Sequence, residues 1–304
     1  MLVHPSRKPQ ITRAKVHFVE EVPNREAGSA IGDSYLYKSE EGIWKGSRSR
    51  ALMSALKGLG WNLAAPLHIE PCQLGLSNHN YKIFCGDFGP LLLRIFGPTV
   101  GDTNPDERHI QDSGFGAHVV QRLDWGRLET WLPGRAMRRG DCDNSQMLAA
   151  LANELRRLHT VAGRNHNDLN FTNVLVCDSV DSPVIHLLDF EYAGPLDPPF
   201  DVANFFCEWM YDYESARWFE PDSAYFPSDT QARSFVAQYL EITDCTDGEV
   251  SAFLKEVQKR IPLVHKFWID WAVNNFSDLD EYVQYAEQRQ ILVDVDACAF
   301  VGVF

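Results

Sequence analysis

The stretch His166-Asn167-Asp168-Leu169-Asn170-Phe171-Thr172-Asn173, with Asp189-Phe190-Glu191 beginning sixteen residues after Asn173, decides how the rest of this sequence is read. A hydroxyl nucleophile needs a carboxylate to orient it and take its proton, and Asp168 on a loop suits that task. Asn173 and Asp189 offer a neutral and an anionic oxygen of the hard kind that Mg²⁺ takes together with phosphate oxygens. Residues 174–176 and 184–188 read as two short buried strands, so the second delivers Asp189 to the rim that carries Asp168. Glu191 is placed to act through a metal-bound water. Taken alone, Asp168 and Asn173 are as easily explained as turn caps. The H-x-D-x-x-x-x-N pattern joined to a strand-borne D-F-E favours phosphoryl transfer instead. His166 is expected to shape the loop by hydrogen bonding rather than to act in the chemistry.

Upstream, residues 79–85 and 90–96 flank Gly86-Asp87-Phe88-Gly89, whose two glycines predict a hairpin. A further sheet segment covers 127–132 and stops at Pro133-Gly134, a natural hinge. Asn144-Ser145 caps a helix in which Met147, Leu148, Leu151, Leu155 and Leu158 recur at helical spacing. Residues 1 to about 50 read as an N-terminal extension with no legible role. Beyond Phe200 the pattern is helical in about four segments, broken near 221–228, 244–247 and 277–280. The fold class expected is α+β and two-lobed, with a β-rich part over 1–132 and a helical part over 133–304.

A chain of 304 residues with 45% apolar content can bury such a core. The formal charge of -14 disfavours a general nucleic-acid or anionic-membrane partner and favours a cationic substrate. Seven cysteines with no C-x-x-C pair argue against a disulfide scaffold or a zinc ribbon and for a reducing, cytoplasmic location. No apolar run reaches the ~20 residues of a membrane span, so no membrane insertion is expected. Arg7, Lys8, Arg13 and Lys15 near the start, with no acid among the first 18 residues, read better as a basic terminus than as a transit peptide.

H-N-D-L-N-F-T-N at 166–173, L-L-D-F-E-Y-A-G at 187–194 and F-D-V-A-N-F-F-C-E-W-M-Y-D-Y at 200–213 together resemble the choline/ethanolamine kinases. These belong to the wider aminoglycoside-phosphotransferase-like and protein-kinase-like superfamily. The resemblance runs with gaps from about Leu74 to about Arg289. It implies a bilobal protein-kinase-like fold with ATP between the lobes, Asp168 as base, Asn173 and Asp189 at Mg²⁺, and Asn170 near the nucleotide. Leu74-Gly75-Leu76-Ser77-Asn78 looks like the family's phosphate loop with its first glycine replaced, which puts Ser77 and Asn78 at the phosphates. Arg94 matches the family's phosphate-contacting arginine, with Glu107 as a candidate acid partner. The segment with Trp131, Leu132 and Arg135 matches the adenine-holding connection.

The resemblance also places Glu208, Tyr213, Trp268, Trp271, Tyr282 and Tyr285 around the amino alcohol, with Tyr192 at the rim. Aromatic faces suit a cationic head, each contact contributing about 0.5–2 kcal/mol. Without the resemblance, these aromatic pairs at helical spacing would be read as ordinary core. The implied reaction is ATP-dependent phosphorylation of choline or ethanolamine, the first step of the CDP-choline and CDP-ethanolamine (Kennedy) routes to phospholipids. An ethanolamine-specific kinase, an aminoglycoside-type phosphotransferase and a catalytically weak pseudokinase are the alternatives, and a homodimer is left open. Three departures from the family pattern stand out: only 160–165 separate His159 from His166, where relatives carry several tens of residues; Pro195-Leu196-Asp197-Pro198-Pro199 replaces a tyrosine-rich segment; and the helix bearing Glu107 is short, with Gly114 following soon after.

Overall fold

The computed structural model describes residues 47–72, 78–96, 104–177, 183–244 and 246–294. The phosphate loop expected at 74–77, including Ser77, lies outside the described residues, as do 1–46 and the chain end from 295.

Helix α1 (Ser47–Gly58) leads into β1 (Leu67–Cys72), β2 (Asn78–Cys85) and β3 (Phe88–Phe96). β2 and β3 form the expected hairpin, turning at Gly86-Asp87. Helix α2 (Pro105–Asp112) follows, then β4 (Val119–Leu123) and β5 (Gly126–Thr130), completing an antiparallel sheet in the order β1-β2-β3-β5-β4. α1 begins inside the stretch read as an extension, β1 and β4 were not anticipated, and α2 is the short helix expected around Glu107. Ile83, Leu93, Ile95 and Leu128 bury one face of this sheet against Leu52 and Leu56 of α1. Successive strand residues face opposite ways, so Arg94, between Leu93 and Ile95, points to the other face, where the cleft lies. Arg127 sits directly opposite Arg94 in the β3–β5 register and shares that face.

The chain crosses at Trp131–Gly134 into β6 (Arg135–Ala136), which pairs with β8 (Val174–Cys177), itself paired with β9 (Val184–Leu187). Between them lies α3 (Ser145–Arg157), capped by Asn144 through the amides of Gln146 and Met147 as its sequence requires. The short connection after His159 is a closed structure. A π-turn over Leu158–Ala162 ends at Gly163, whose φ of 63° suits a glycine C-cap. β7 (Arg164–Asn165) then pairs with β10 (Gly194–Pro195). His109 of α2 donates to the Ala162 carbonyl at 2.9 Å, and Arg164 meets Asp106 at 2.7 Å. Four helices complete the lobe: α4 (Pro198–Glu208), α5 (Asp229–Leu240), the 29-residue α6 (Gly248–Phe276) and α7 (Asp280–Asp294). The breaks fall where expected, although α4 starts two residues earlier and stops well short of 221. No described helix is long and apolar enough to cross a membrane.

α4 is apolar nearly throughout, yet Asp201, Asn204 and Glu208 occupy one stripe of it and all three are buried. Asp201 accepts from the backbone amides of His166 at 2.7 Å and Asn167 at 2.6 Å, and from the His159 ring at 2.9 Å. These bonds hold Asn167 at φ 63°, a conformation an unconstrained asparagine seldom keeps. Asp201→Asn turns one acceptor into a donor facing an N–H. It should lower stability by about 2–4 kcal/mol, read from the urea midpoint at constant m-value. A loss under about 1 kcal/mol would show that the loop holds itself.

Candidate active site

The loop that Asp201 anchors carries Asp168. Asn170 donates its Nδ2 to Asp168 Oδ1 at 2.9 Å, and Asn173 donates to Oδ2 at 2.8 Å. Asn170 Oδ1 in turn caps the 3₁₀ turn Phe171–Asn173 by accepting from the amides of Thr172 and Asn173. Both asparagine side chains are therefore committed to the loop, and Asn170 serves the carboxylate directly. Burial, and then the nearby carboxylates of Glu208 and Asp189, push Asp168 well above the ordinary carboxylate range, against the two amide donors. His166 is fully buried. Burial lowers its pKa, and its ring donates to the Leu188 carbonyl at 2.8 Å while accepting from the Asp168 amide at 3.4 Å. It shapes the loop by hydrogen bonding, as expected from the sequence.

Asp189 follows β9 at φ 62°, and the Leu188 amide bonds to the Asn173 carbonyl, so the two residues stand side by side. Both line the cleft between the sheet and the helical lobe, which encloses about 860 Å³ continuous with solvent. Arg94, Trp131 and Leu132 line it as well. Arg94 reaches Asp189 at 3.4 Å and Glu129 at 3.6 Å, while its buried Nε has no hydrogen-bond partner. Glu107 is not its partner. That carboxylate takes Arg127 at 2.7 Å, and Arg127 also bonds Glu129, because Arg127 lies nearer α2 across the strand pair. Arg135 is turned away into a bidentate pair with Asp141 at 2.7 and 3.0 Å. Asn78 is the first residue of β2, on the sheet beside this cleft.

The aromatic residues gather where α6 and α7 meet the loop that carries Asp168. Trp268 and Trp271 of α6 pack edge-on at 5.5 Å, and Trp271 reaches Tyr282 of α7 at 5.8 Å. Tyr192 takes the Trp271 indole N–H on its hydroxyl at 2.7 Å. The Trp268 indole N–H goes to Asn204 at 2.8 Å, and Asn204 donates to the Leu169 carbonyl, tying the cluster to the catalytic loop. Glu208 accepts from Tyr213 at 2.6 Å and from Arg289 at 2.6 Å. Arg289 is fully buried, its guanidinium 4.4 Å from the Tyr211 ring centre and 4.6 Å from that of Tyr285. His265, whose pKa is lowered to about 3 by burial and by Arg289, accepts from that arginine at 3.3 Å.

Sequence reasoning thus gathered Glu208, Tyr213, Trp268, Trp271, Tyr282, Tyr285 and Tyr192 correctly in space but missed Arg289, Asn204, Asp201 and Trp218. Trp218 packs on Tyr282 at 5.1 Å and Tyr285 at 5.4 Å. The polar stripe on apolar α4 was the signal for Asp201 and Asn204. Arg289, four residues after Tyr285, was the signal for a cation under the ring cluster.

The residues fit a nucleotide-bound Mg²⁺. Asn173 spends its Nδ2 on Asp168, which leaves its Oδ1 for a cation, and Asp189 brings the anionic oxygen. Among the described residues no three His, Cys, Asp or Glu side chains group to hold a metal by themselves, so phosphate oxygens would complete the shell.

Residues 163–293 match the family model for choline/ethanolamine kinase. Probable choline kinase 1 of Arabidopsis thaliana is 29% identical over 180 residues, which is 55% of this chain and 51% of that protein. The choline/ethanolamine kinase of Rattus norvegicus is 31% identical over 140 residues, 41% of this chain and 35% of that protein. The chain thus spans about half the length of the first of these relatives and less of the second. Among solved structures, the Plasmodium vivax ethanolamine kinase superposes with a TM-score of 0.67 at 17% identity, covering 85% of this chain and 89% of that one. The Cryptosporidium parvum choline kinase gives 0.60 at 15% identity, covering 82% and 97%. Both show the bilobal kinase-like α+β fold. With that fold, the loop bearing Asp168 and Asn173, the strand-borne Asp189 and the match over 163–293, this chain is similar to the choline/ethanolamine kinases, most clearly over its helical part.

Proposed function

We propose that this chain transfers the γ-phosphoryl group of ATP to the hydroxyl of choline or a close amino alcohol. The observation that carries the reading is the position of Asp168 between two unlike surroundings: Asp189 and the inter-lobe cleft on one side, Glu208 and the aromatic cluster on the other. A hydroxyl lying against Asp168 gives up its proton to the carboxylate as its oxygen attacks the γ-phosphorus, and ADP leaves. Asn170 and Asn173 fix the carboxylate plane for that proton transfer. Arg94, whose Nε meets Glu129 only at 3.6 Å, beyond hydrogen-bond distance, supplies positive charge where phosphate oxygens would lie. Mg²⁺ held by Asn173 and Asp189 would neutralise phosphate charge, with Glu191 reaching it through water. Trp131 and Leu132 would bound the adenine. The role of Arg135 at the nucleotide would require it to leave Asp141.

Each oxygen of Glu208 already accepts one strong hydrogen bond, and Arg289 cancels its charge at contact distance. A primary ammonium therefore gains less from Glu208 than from a free carboxylate, whereas a quaternary head relies on aromatic faces and loses nothing. This favours choline over ethanolamine, and it weakens the aminoglycoside-type alternative, which needs many free carboxylates.

Asp168→Asn should lower kcat by about 10²–10⁴-fold while ATP affinity stays within a few-fold, measured by ADP release and by calorimetry. The raised pKa also sets a sign. Below the unfolded carboxylate value near 4 the wild-type group is neutral in both states, and its charge costs stability as pH rises through the folded value. The stability of Asp168→Asn relative to wild type should therefore climb from about pH 4 upward, and a flat difference counts against the assignment. Asp189→Asn should raise the Mg²⁺ concentration needed for ATP binding by about tenfold or more, and an unchanged requirement rejects this ligand. Trp271→Leu should raise the choline KM several-fold more than the ethanolamine KM, since one cation–π contact is worth about 0.5–2 kcal/mol. Equal losses for both amines would mean that Trp271 only packs.

A further inference from the structure

α2 is fastened to both lobes, and the fastening at its N-cap leads to the metal-binding segment. Its Ile110, with Phe115 just beyond, buries in the core of the helical lobe. Its Glu107 is paired with Arg127 of the sheet at 2.7 Å. Its N-cap is Asn104, whose Oδ1 accepts from the Asp106 amide at 2.9 Å. The same side chain aims its Nδ2 at the backbone that follows Asp189. It meets the Glu191 carbonyl at 2.9 Å and the Ala193 carbonyl at 3.3 Å, with the Phe190 carbonyl at the edge of reach at 3.5 Å. The amide orientation is dictated by chemistry: a backbone N–H needs the oxygen and the carbonyls need the nitrogen, so the flipped amide would lose every one of these bonds.

We propose that Asn104 is a positioning residue for Asp189, a side-chain clamp that fixes the D-F-E segment to α2. Asp189 itself is held at φ 62°, a left-handed conformation that costs a non-glycine residue about 1 kcal/mol or more and persists only where its surroundings impose it. The Leu188 amide bond to Asn173 fixes the segment ahead of Asp189. Asn104 fixes the segment behind it, through the carbonyls two and four residues on. α2 then acts as a strut: Arg127 sets its place on the sheet, and Asn104 passes that place to the metal-binding carboxylate. The ordinary reading, that Asn104 only caps α2, accounts for its oxygen and leaves its nitrogen unexplained. The inference rests on Asp189 as a ligand of nucleotide-bound Mg²⁺ and is independent of which alcohol is phosphorylated.

Asn104→Asp and Asn104→Ser separate the two roles. Both replacements are good N-caps and should keep α2 intact. The aspartate has no donor and would face the carbonyls with a negative charge; the serine removes the amide donors without adding charge. Amide hydrogen exchange of the full chain, with no nucleotide or alcohol added, should show residues 189–194 of both variants exchanging about tenfold faster or more, with 106–112 close to wild type. In calorimetric titrations with ATP, the Mg²⁺ concentration giving half-maximal binding should rise about tenfold, the loss typical when a group orienting a metal ligand is removed. Wild-type protection of 189–194, or an unchanged Mg²⁺ requirement, in both variants overturns the proposal and leaves Asn104 as a cap. Asp189→Asn measured in parallel distinguishes a failure of the ligand assignment from a failure of the clamp. Neither readout involves the amino alcohol, so both stand whatever the acceptor proves to be.

Discussion

The carboxylate of Asp201 is the constraint on which the catalytic side of this molecule depends. It is fully buried, and an anion in that position is tolerated only where donors surround it. Here the donors are two successive backbone amides and one imidazole N–H. Backbone amides cannot move without moving the chain, so satisfying Asp201 and shaping the loop before Asp168 are the same event. From that event the other positions follow along α4. One turn on, Asn204 joins the Leu169 carbonyl to the Trp268 indole. One turn further, Glu208 meets Tyr213 and Arg289. A single helix face thereby fixes the loop that carries Asp168, the aromatic cluster and the charge between them relative to one another.

The cleft side is organised by a different balance. Arg94 and Arg127 stand opposite each other on neighbouring strands, an arrangement that is unfavourable without compensation. Glu129 lies near both, Glu107 takes the far side of Arg127, and Asp189 approaches Arg94 from the helical lobe. The division of labour matters for chemistry. Arg127 is saturated by two short carboxylate contacts and reads as architecture. Arg94 has longer contacts, at 3.4 and 3.6 Å, and its buried Nε makes no hydrogen bond, the arrangement the proposed phosphate contact would use. Two arginines that look equivalent along their strands are separated by their partners.

Such distinctions explain what the sequence made legible. Asp168, Asn173 and Asp189 could be singled out because the phosphoryl transfer proposed for them would require those residue types at fixed spacing, whatever the surrounding fold. The β2–β3 hairpin could be read from alternation and two glycines, and α3 from its cap and apolar spacing. Glu107 was misassigned because a short helix offers the same carboxylate to either arginine, and only the strand register decides which is nearer. Arg289 escaped because nothing local distinguishes a fully buried arginine from a solvated one; its guanidinium lies among the rings of Tyr211, Trp268 and Tyr285, two of them from other segments. Asn104 escaped for a related reason, since an asparagine before a proline reads as a helix cap and its second set of bonds is 87 residues away in sequence.

The same physics accounts for where kinship with other proteins is concentrated. The family match begins at Gly163 and ends at 293, although the fold likeness covers 85% of the chain. Within 163–293 the site is built from buried polar groups that hold one another: Asp201 with the loop, Asn204 with Trp268, Glu208 with Arg289. Changing one member of such a set strands its partner in a dry interior, at a cost of about 1–3 kcal/mol for a neutral group and more for a charged one, so the set changes together or not at all. The sheet obeys a looser rule. Its core of Ile83, Leu93, Ile95 and Leu128 asks only for apolar volume on alternate positions, and volume-conserving exchanges there cost little. A lobe specified by volume can exchange its side chains at little cost, whereas a lobe specified by paired buried polar groups tolerates few single changes.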